Sequence, residues 1–262
     1  MRSRSRHRRY VRNIAAGVCA IAFSAVSSAR ADLGELRVYS PVIETGVAEL
    51  EYRGARSIDS DSSKNGAEIQ KVSLGFALTD WWSAEVYSQW ARDPGGSLHF
   101  DGTEWESFFQ LTEPGEYWAN FGLQVEYERV ANRRADSDQL AIGPMIERDI
   151  GQTTTDLNLL LTRQLGPNIQ QRGVGLRYAL QTRWRLLPEF QPALQLFGDL
   201  GSISHLTPIR EHQHLIGPGA YGRFSLGSIP GYIQYDAAYL FGVTRESPAG
   251  VVKLILEYEL PL

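Results

Sequence analysis

Glu85, Glu104, Glu106, Glu126 and Glu128 occupy alternate positions in three successive stretches that alternate polar with apolar residues, and Arg177, Arg183 and Arg185 do the same in a later stretch. Alternate side chains of a strand share a face. If these stretches are neighbouring strands of a closed sheet, the glutamates form an acidic lumen wall and the arginines a basic wall nearly half a barrel away. Facing walls of opposite charge sort permeants by sign, or they pair across a narrow lumen and close it. Extending the register gives thirteen inward acids (adding Glu49, Glu51, Glu147, Asp156, Asp199, Asp236, Glu257 and Glu259) against six bases (adding Arg53, Lys71 and Lys253). The lumen is expected to be acidic.

A second set of reactive residue types lies in "SISHLTPIREHQHLIGPG": Ser202, Ser204, His205, Glu211, His212 and His214. A lipid hydrolase needs a serine, an activating histidine and an orienting group, and His212 with His214 on one strand face would need a third ligand to hold a metal. Ser204 directly precedes His205 with no third group set by spacing. These residues are read as polar groups of a loop and strand mouth, so no catalytic residue, metal or cofactor is assigned. The glycines Gly143, Gly217, Gly219 and Gly222 lack the strand-turn-helix context of a phosphate loop and are read as strand bends.

The elements that must position these groups are strands of about ten residues. In "KVSLGFAL" Val72, Leu74, Phe76 and Leu78 face one way and Lys71, Ser73, Gly75 and Ala77 the other, and "GLQVEYE" and "VVKLILEYELPL" repeat the pattern. Strands are expected over roughly 44–54, 67–79, 81–92, 103–113, 116–129, 138–148, 152–164, 173–186, 190–201, 212–226, 231–245 and 249–261. The connectors alternate between short, as at Thr79–Asp80, Glu113–Glu116 and Gly227–Gly231, and longer polar loops, the rhythm of a membrane barrel with turns on one side and loops on the other. Trp81, Trp82, Tyr117, Trp118, Trp184, Tyr232 and Tyr258 fall near one set of strand ends, where amphipathic rings meet a membrane interface. Pro144, Pro192 and Pro218 lie inside expected strands and remove ladder donors. The fold class is therefore all-β, a closed antiparallel up-and-down transmembrane barrel of about twelve strands, with ten to fourteen compatible.

Residues 1–31 read as a signal peptide: a basic stretch, an apolar run from Ile14 to Val26 too short to span a bilayer as a helix, and the small-residue site Ala29-Arg30-Ala31. Seven of the 26 Lys and Arg lie in this leader and none of the 30 Asp and Glu, which leaves nineteen bases and a mature charge of −11. That balance argues against nucleic acid as a partner. Cys19, the sole cysteine, is in the leader, so no disulfide is expected. The expected organisation is leader 1–31, an N-terminal periplasmic segment 32–43 and a barrel 44–262.

The last strand, with Leu254, Leu256, Tyr258, Leu260 and Leu262 at alternate positions, resembles the assembly signal of Gram-negative outer-membrane proteins, with leucine where that family usually ends in phenylalanine. The segments "SPVIETGVAELEYRG" and "LGFALTDWWSAEVYSQW" are similar to small proteobacterial barrels described as transporters of phenol-degradation pathways. The resemblance implies an outer-membrane location, lipid contact, recognition by the assembly machinery through the C-terminal strand, and transport. The expected function is a narrow, modestly charge-selective channel for small solutes rather than an enzyme. The alternatives are a closed structural or interaction barrel acting through its extracellular loops and, third, a lipid-modifying enzyme.

Overall fold

A computed structural model describes residues 33–205, 207–227 and 229–262. The expected leader and Cys19 lie outside them. Twelve strands form: β1 Val47–Ile58, β2 Glu68–Ala77, β3 Trp82–Arg92, β4 His99–Gln110, β5 Asn120–Val130, β6 Asp138–Ile150, β7 Thr153–Leu165, β8 Gly175–Trp184, β9 Gln191–Ser202, β10 His214–Leu226, β11 Ile229–Gly242 and β12 Gly250–Pro261. Each pairs antiparallel with its sequence neighbours and β12 closes on β1, giving an up-and-down barrel without a free edge. No helix among the described residues is long and apolar enough to cross a membrane, so any crossing is made by strands.

The alternation of side chains is the cause of the closure. Outward residues such as Leu74, Phe76, Val86, Trp105, Leu161, Leu194 and Leu254 remain exposed on an apolar belt, whereas inward Lys71, Ser73, Glu85, Glu104, Gln195 and Lys253 are buried. An apolar belt running round the whole molecule needs lipid or a partner to cover it. One barrel end carries tight turns such as that at 151–152 together with the C-terminus; the other carries longer loops, such as that at 166–174. Gly151 and Gly227, at φ 58° and 68°, supply the left-handed backbone that such tight turns require.

Three local departures have physical reasons. The connector between β4 and β5 spans 111–119, so Glu116–Ala119, expected as strand, form part of a turn capped by the Asn120 side chain, which accepts from the Gly115 backbone at 3.0 Å. The internal prolines are accommodated at gaps in the ladder. Neither Pro144 nor Pro218 has a partner on its following strand, and each is preceded by a glycine over which the neighbour closes: a Cβ on Gly143 would stand 1.7 Å from the Leu159 carbonyl oxygen, and one on Gly217 1.9 Å from that of Tyr239. His212, expected in a strand, belongs to the loop before β10.

The main finding concerns residues 33–43. Expected as a periplasmic segment ahead of the barrel, they run inside it. Leu33–Glu35 make one 3-10 turn, and the chain then extends along the lumen to the turn end, where β1 begins. Leu33 and Leu36 are buried against Ala55, Ile69, Ala91, Leu240 and Val251, the inward residues nearer the loop end. Farther along, Tyr39 packs on Phe108 and Met145. The Ile43 amide donates to Gln110, the last residue of β4, at 2.9 Å. About ten extended residues at ~3.3 Å each suffice to traverse a barrel of such strands.

Candidate functional site

The register of β12 and β1–β5 arranges inward residues into cross-strand rows. Glu259, Glu49, Gly75, Glu85, Glu106 and Glu126 are successive cross-strand partners, and so, one step toward the loop end, are Glu257, Glu51, Ser73, Tyr87, Glu104 and Glu128. The acidic wall therefore holds all five glutamates picked out from sequence and continues through β1 and β12. The next row toward the loop end carries the cations Arg53 and Lys71, and one row beyond Lys253 stands beside Ala55 and Ile69, the first row of the apolar layer that receives Leu33 and Leu36. The lumen is thus layered along its axis: carboxylates, then cations, then an apolar seal.

Like charges this close require counterions, and several come from the wall itself. Lys71 reaches Glu104 at 2.8 Å, and Lys253 reaches Asp236 at 2.7 Å and Gln195 at 2.9 Å. Arg53 lies 3.0 Å from Glu51 and donates to the hydroxyls of Tyr39 at 2.6 Å and Tyr87 at 3.0 Å. A further counterion is Arg37 of the inserted segment: one guanidinium nitrogen bonds Glu51 and the other Glu257, the latter at 2.6 Å. Tyr39 donates its hydroxyl to Glu106, and Ser40 donates to Glu147 at 2.8 Å. The segment is therefore bound by the acidic rows rather than merely enclosed.

The three arginines of the expected basic wall separate. Arg177 meets Glu126 at 3.2 Å across the lumen. Arg183 lies 3.8 Å from Glu147 and 3.9 Å from Asp156, with its guanidinium over the Tyr221 ring. Arg185 is no part of a lumen wall. It follows the end of β8 and binds the β6–β7 turn through Asp149 and the Gly151 carbonyl, because the strand stops at Trp184 and its side chain folds over the rim. The counterions that sequence reasoning left outside its walls were Arg37, Arg53, Lys71 and Lys253. A signal for the insertion existed in the inward parity itself, since Ile69, Leu240 and Val251 face a lumen expected to be polar and need an apolar partner there.

What the segment leaves open is a cavity of about 660 Å³ at the turn end, with Glu44, Pro114, Tyr117 and Trp118 at its mouth and Glu49, Asp156, Arg183, Tyr221, Glu257 and Glu259 on its walls. A second, lumenal pocket beside Leu36, Arg177 and Asp199 measures only about 40 Å³. The serine and histidine group gives a different geometry: Ser204 Oγ pairs with Ser202 Oγ at 2.9 Å, His212 Nε2 with Thr207 Oγ1 at 2.6 Å, and His214 Nδ1 with the Tyr178 hydroxyl at 2.8 Å. His205 lies in the loop after β9.

No protein-family model matches the chain, and no curated protein matches it. Among solved structures, similarity is found to the translocator domain of the autotransporter NalP from Neisseria meningitidis (11% identity, TM-score 0.47, covering 84% of this chain and 90% of that one). It is also found to OccD1 (OprD) carrying Y282R/D307H (9%, TM-score 0.38, 83% and 66%) and to a bacterial polysaccharide outer membrane secretin (9%, TM-score 0.42, 84% and 100%). At these values the likeness extends to no residue of the lumen.

Proposed function

We propose that this chain is an outer-membrane barrel that passes small solutes, cations ahead of anions, through a lumen closed at rest by its own residues 33–43. The turn end then faces the periplasm and the longer loops face outward, the usual arrangement for such barrels. The apolar belt supports lipid contact, and the C-terminal strand, which resembles the assembly signal, pairs with β1 as the closing strand.

The observation that carries this reading is the grip of Glu51 and Glu257 on Arg37. Buried ion pairs are a poor way to stabilise a core, because apolar residues of similar volume do as well or better. A lumen lined with ionisable groups and filled by a separate stretch of chain is suited to exchanging that filling for water and ions. The excess of carboxylates sets the sign of the preferred permeant.

The test is planar-bilayer conductance of the native chain and of Arg37→Ala in a salt gradient. The channel reading expects small or rare steps from the native chain, larger or more frequent steps from the variant, and reversal potentials showing cation preference in both. A folded barrel that stays silent in both forms points instead to the closed barrel acting through its loops, a reading favoured by the apolar packing of Leu33 and Leu36.

A further inference from the structure

We infer that the 660 Å³ cavity at the turn end is a binding site for an aliphatic polyamine, anchored at one side by Glu259 and at the other by Asp156. The inference deepens the channel reading by naming its solute class, and rests on that reading only for passage, not for binding.

Two buried carboxylates on the cavity wall have oxygens that meet no donor among the described residues. Glu259 is 2% exposed and neither of its oxygens meets one; Asp156 is 2% exposed and its Oδ1 meets none. Buried acceptors in this state are costly, and a cationic donor relieves the cost at both. The ion pair of Asp156 with Arg183, at 3.9 Å, uses the other carboxylate oxygen, Oδ2.

The spacing of the anchors selects the ligand. Glu259 is on β12 and Asp156 on β7, five strands apart in a closed ring of twelve, so they stand on nearly opposite walls. A metal ion needs its oxygens within about 2.0–2.6 Å of one point, and no group of three or more ligating side chains suited to a metal occurs among the described residues. A chain with ammonium groups at separated positions reaches both. The volume lies within the usual ~300–1,000 Å³ of small-molecule sites. Tyr221 lines the cavity, and Arg183 over its ring, 4.7 Å from the centroid, shows it already facing a cation. Arg37 is the in-chain precedent: its guanidinium sits on the acidic row next to the one that contains Glu259.

The test is calorimetric titration of spermidine into the detergent-folded full barrel, with spermidine uptake by proteoliposomes measured separately. We expect saturable binding that weakens about tenfold or more in Glu259→Gln and in Asp156→Asn, and that persists in Glu211→Gln and Glu246→Gln, which remove the same charge from the far loops. Binding that is absent in the native chain, that is unchanged in both cavity variants, or that magnesium displaces as effectively as spermidine at equal concentration overturns the inference. If Glu259→Gln does not fold, Asp156→Asn and the native titration still decide. Binding without uptake upholds the site and counts against the channel; uptake without binding counts against the site and upholds the channel.

Discussion

Asn158 on β7 and Tyr39 in the inserted segment form a reciprocal pair: the Tyr39 amide donates to Asn158 Oδ1 at 2.7 Å, and Asn158 Nδ2 donates to the Tyr39 carbonyl at 2.9 Å. The side-chain amide thereby replaces a neighbouring strand and satisfies both polar groups of one buried residue. Asn158→Ala leaves those groups without partners, at roughly 1–3 kcal/mol each. We expect the barrel to fold, the segment to dock less tightly, and protease added at the turn end to cut within 33–43 faster than in the native chain.

The apolar seal is a separate constraint. Leu36 is 2% exposed and packs where the lumen is lined by small and branched residues. Leu36→Ala removes buried methyl groups at a cost of about 2–5 kcal/mol if the lining does not collapse. Thermal melting of the segment, followed by Tyr39→Trp fluorescence, should shift down, while the barrel's own melting should move little because its ladder is untouched.

Charge and selectivity can be separated at Glu106 and Glu126, neighbours on one acidic row. The double change Glu106→Gln and Glu126→Gln keeps volume and removes two lumenal charges. Combined with Arg37→Ala to open the lumen, it should move the reversal potential toward zero relative to Arg37→Ala alone. An unchanged reversal potential places the selective region elsewhere.

Outside the wall, Asp59 ties the β1–β2 loop to the β11–β12 loop by accepting from the Ala249 amide at 2.7 Å. The Asp61 backbone amide, and then that of Ala249, hold its carboxyl below the usual aspartate range. A depressed value contributes order above the unfolded pKa of about 3.9 and loses it as pH falls through the lower folded value. Proteolysis near Lys64 and Arg245 should therefore accelerate only below about pH 4, and Asp59→Asn should show the faster rate already at neutral pH.

The barrel was legible because its signal is periodic: outward Leu74 and Phe76 against inward Ser73 and Gly75 mark the face of β2 without reference to any other strand. Strand ends were less legible, since the turn at 111–119 depends on Asn120 reaching back to Gly115, a contact between residues that alternation cannot see. The lumen was partly legible. Parity placed Glu104 and Glu106 inward, but which cation meets which acid depends on cross-strand register, and Lys71 reaches Glu104 although β3 lies between their strands and they are 33 positions apart. The inserted segment was read only as a periplasmic stretch ahead of the barrel, because "LGELRVYSP" has no strand neighbour and no fixed period. Only the unexplained apolar residues facing inward, such as Ile69 and Val251, asked for it.

The central claim, that residues 33–43 close an otherwise conductive lumen, is tested most directly by locking them there. With Ser40→Cys and Glu147→Cys, whose native side chains meet at 2.8 Å through the full length of the glutamate, a short bis-thiosulfonate reagent that forms one disulfide with each thiol would pin the segment to β6. Bilayer conductance should be near zero when cross-linked, rise on adding reductant, and fall again when the reagent is renewed. A cross-link that forms fully and leaves conductance the same in both states would contradict the account.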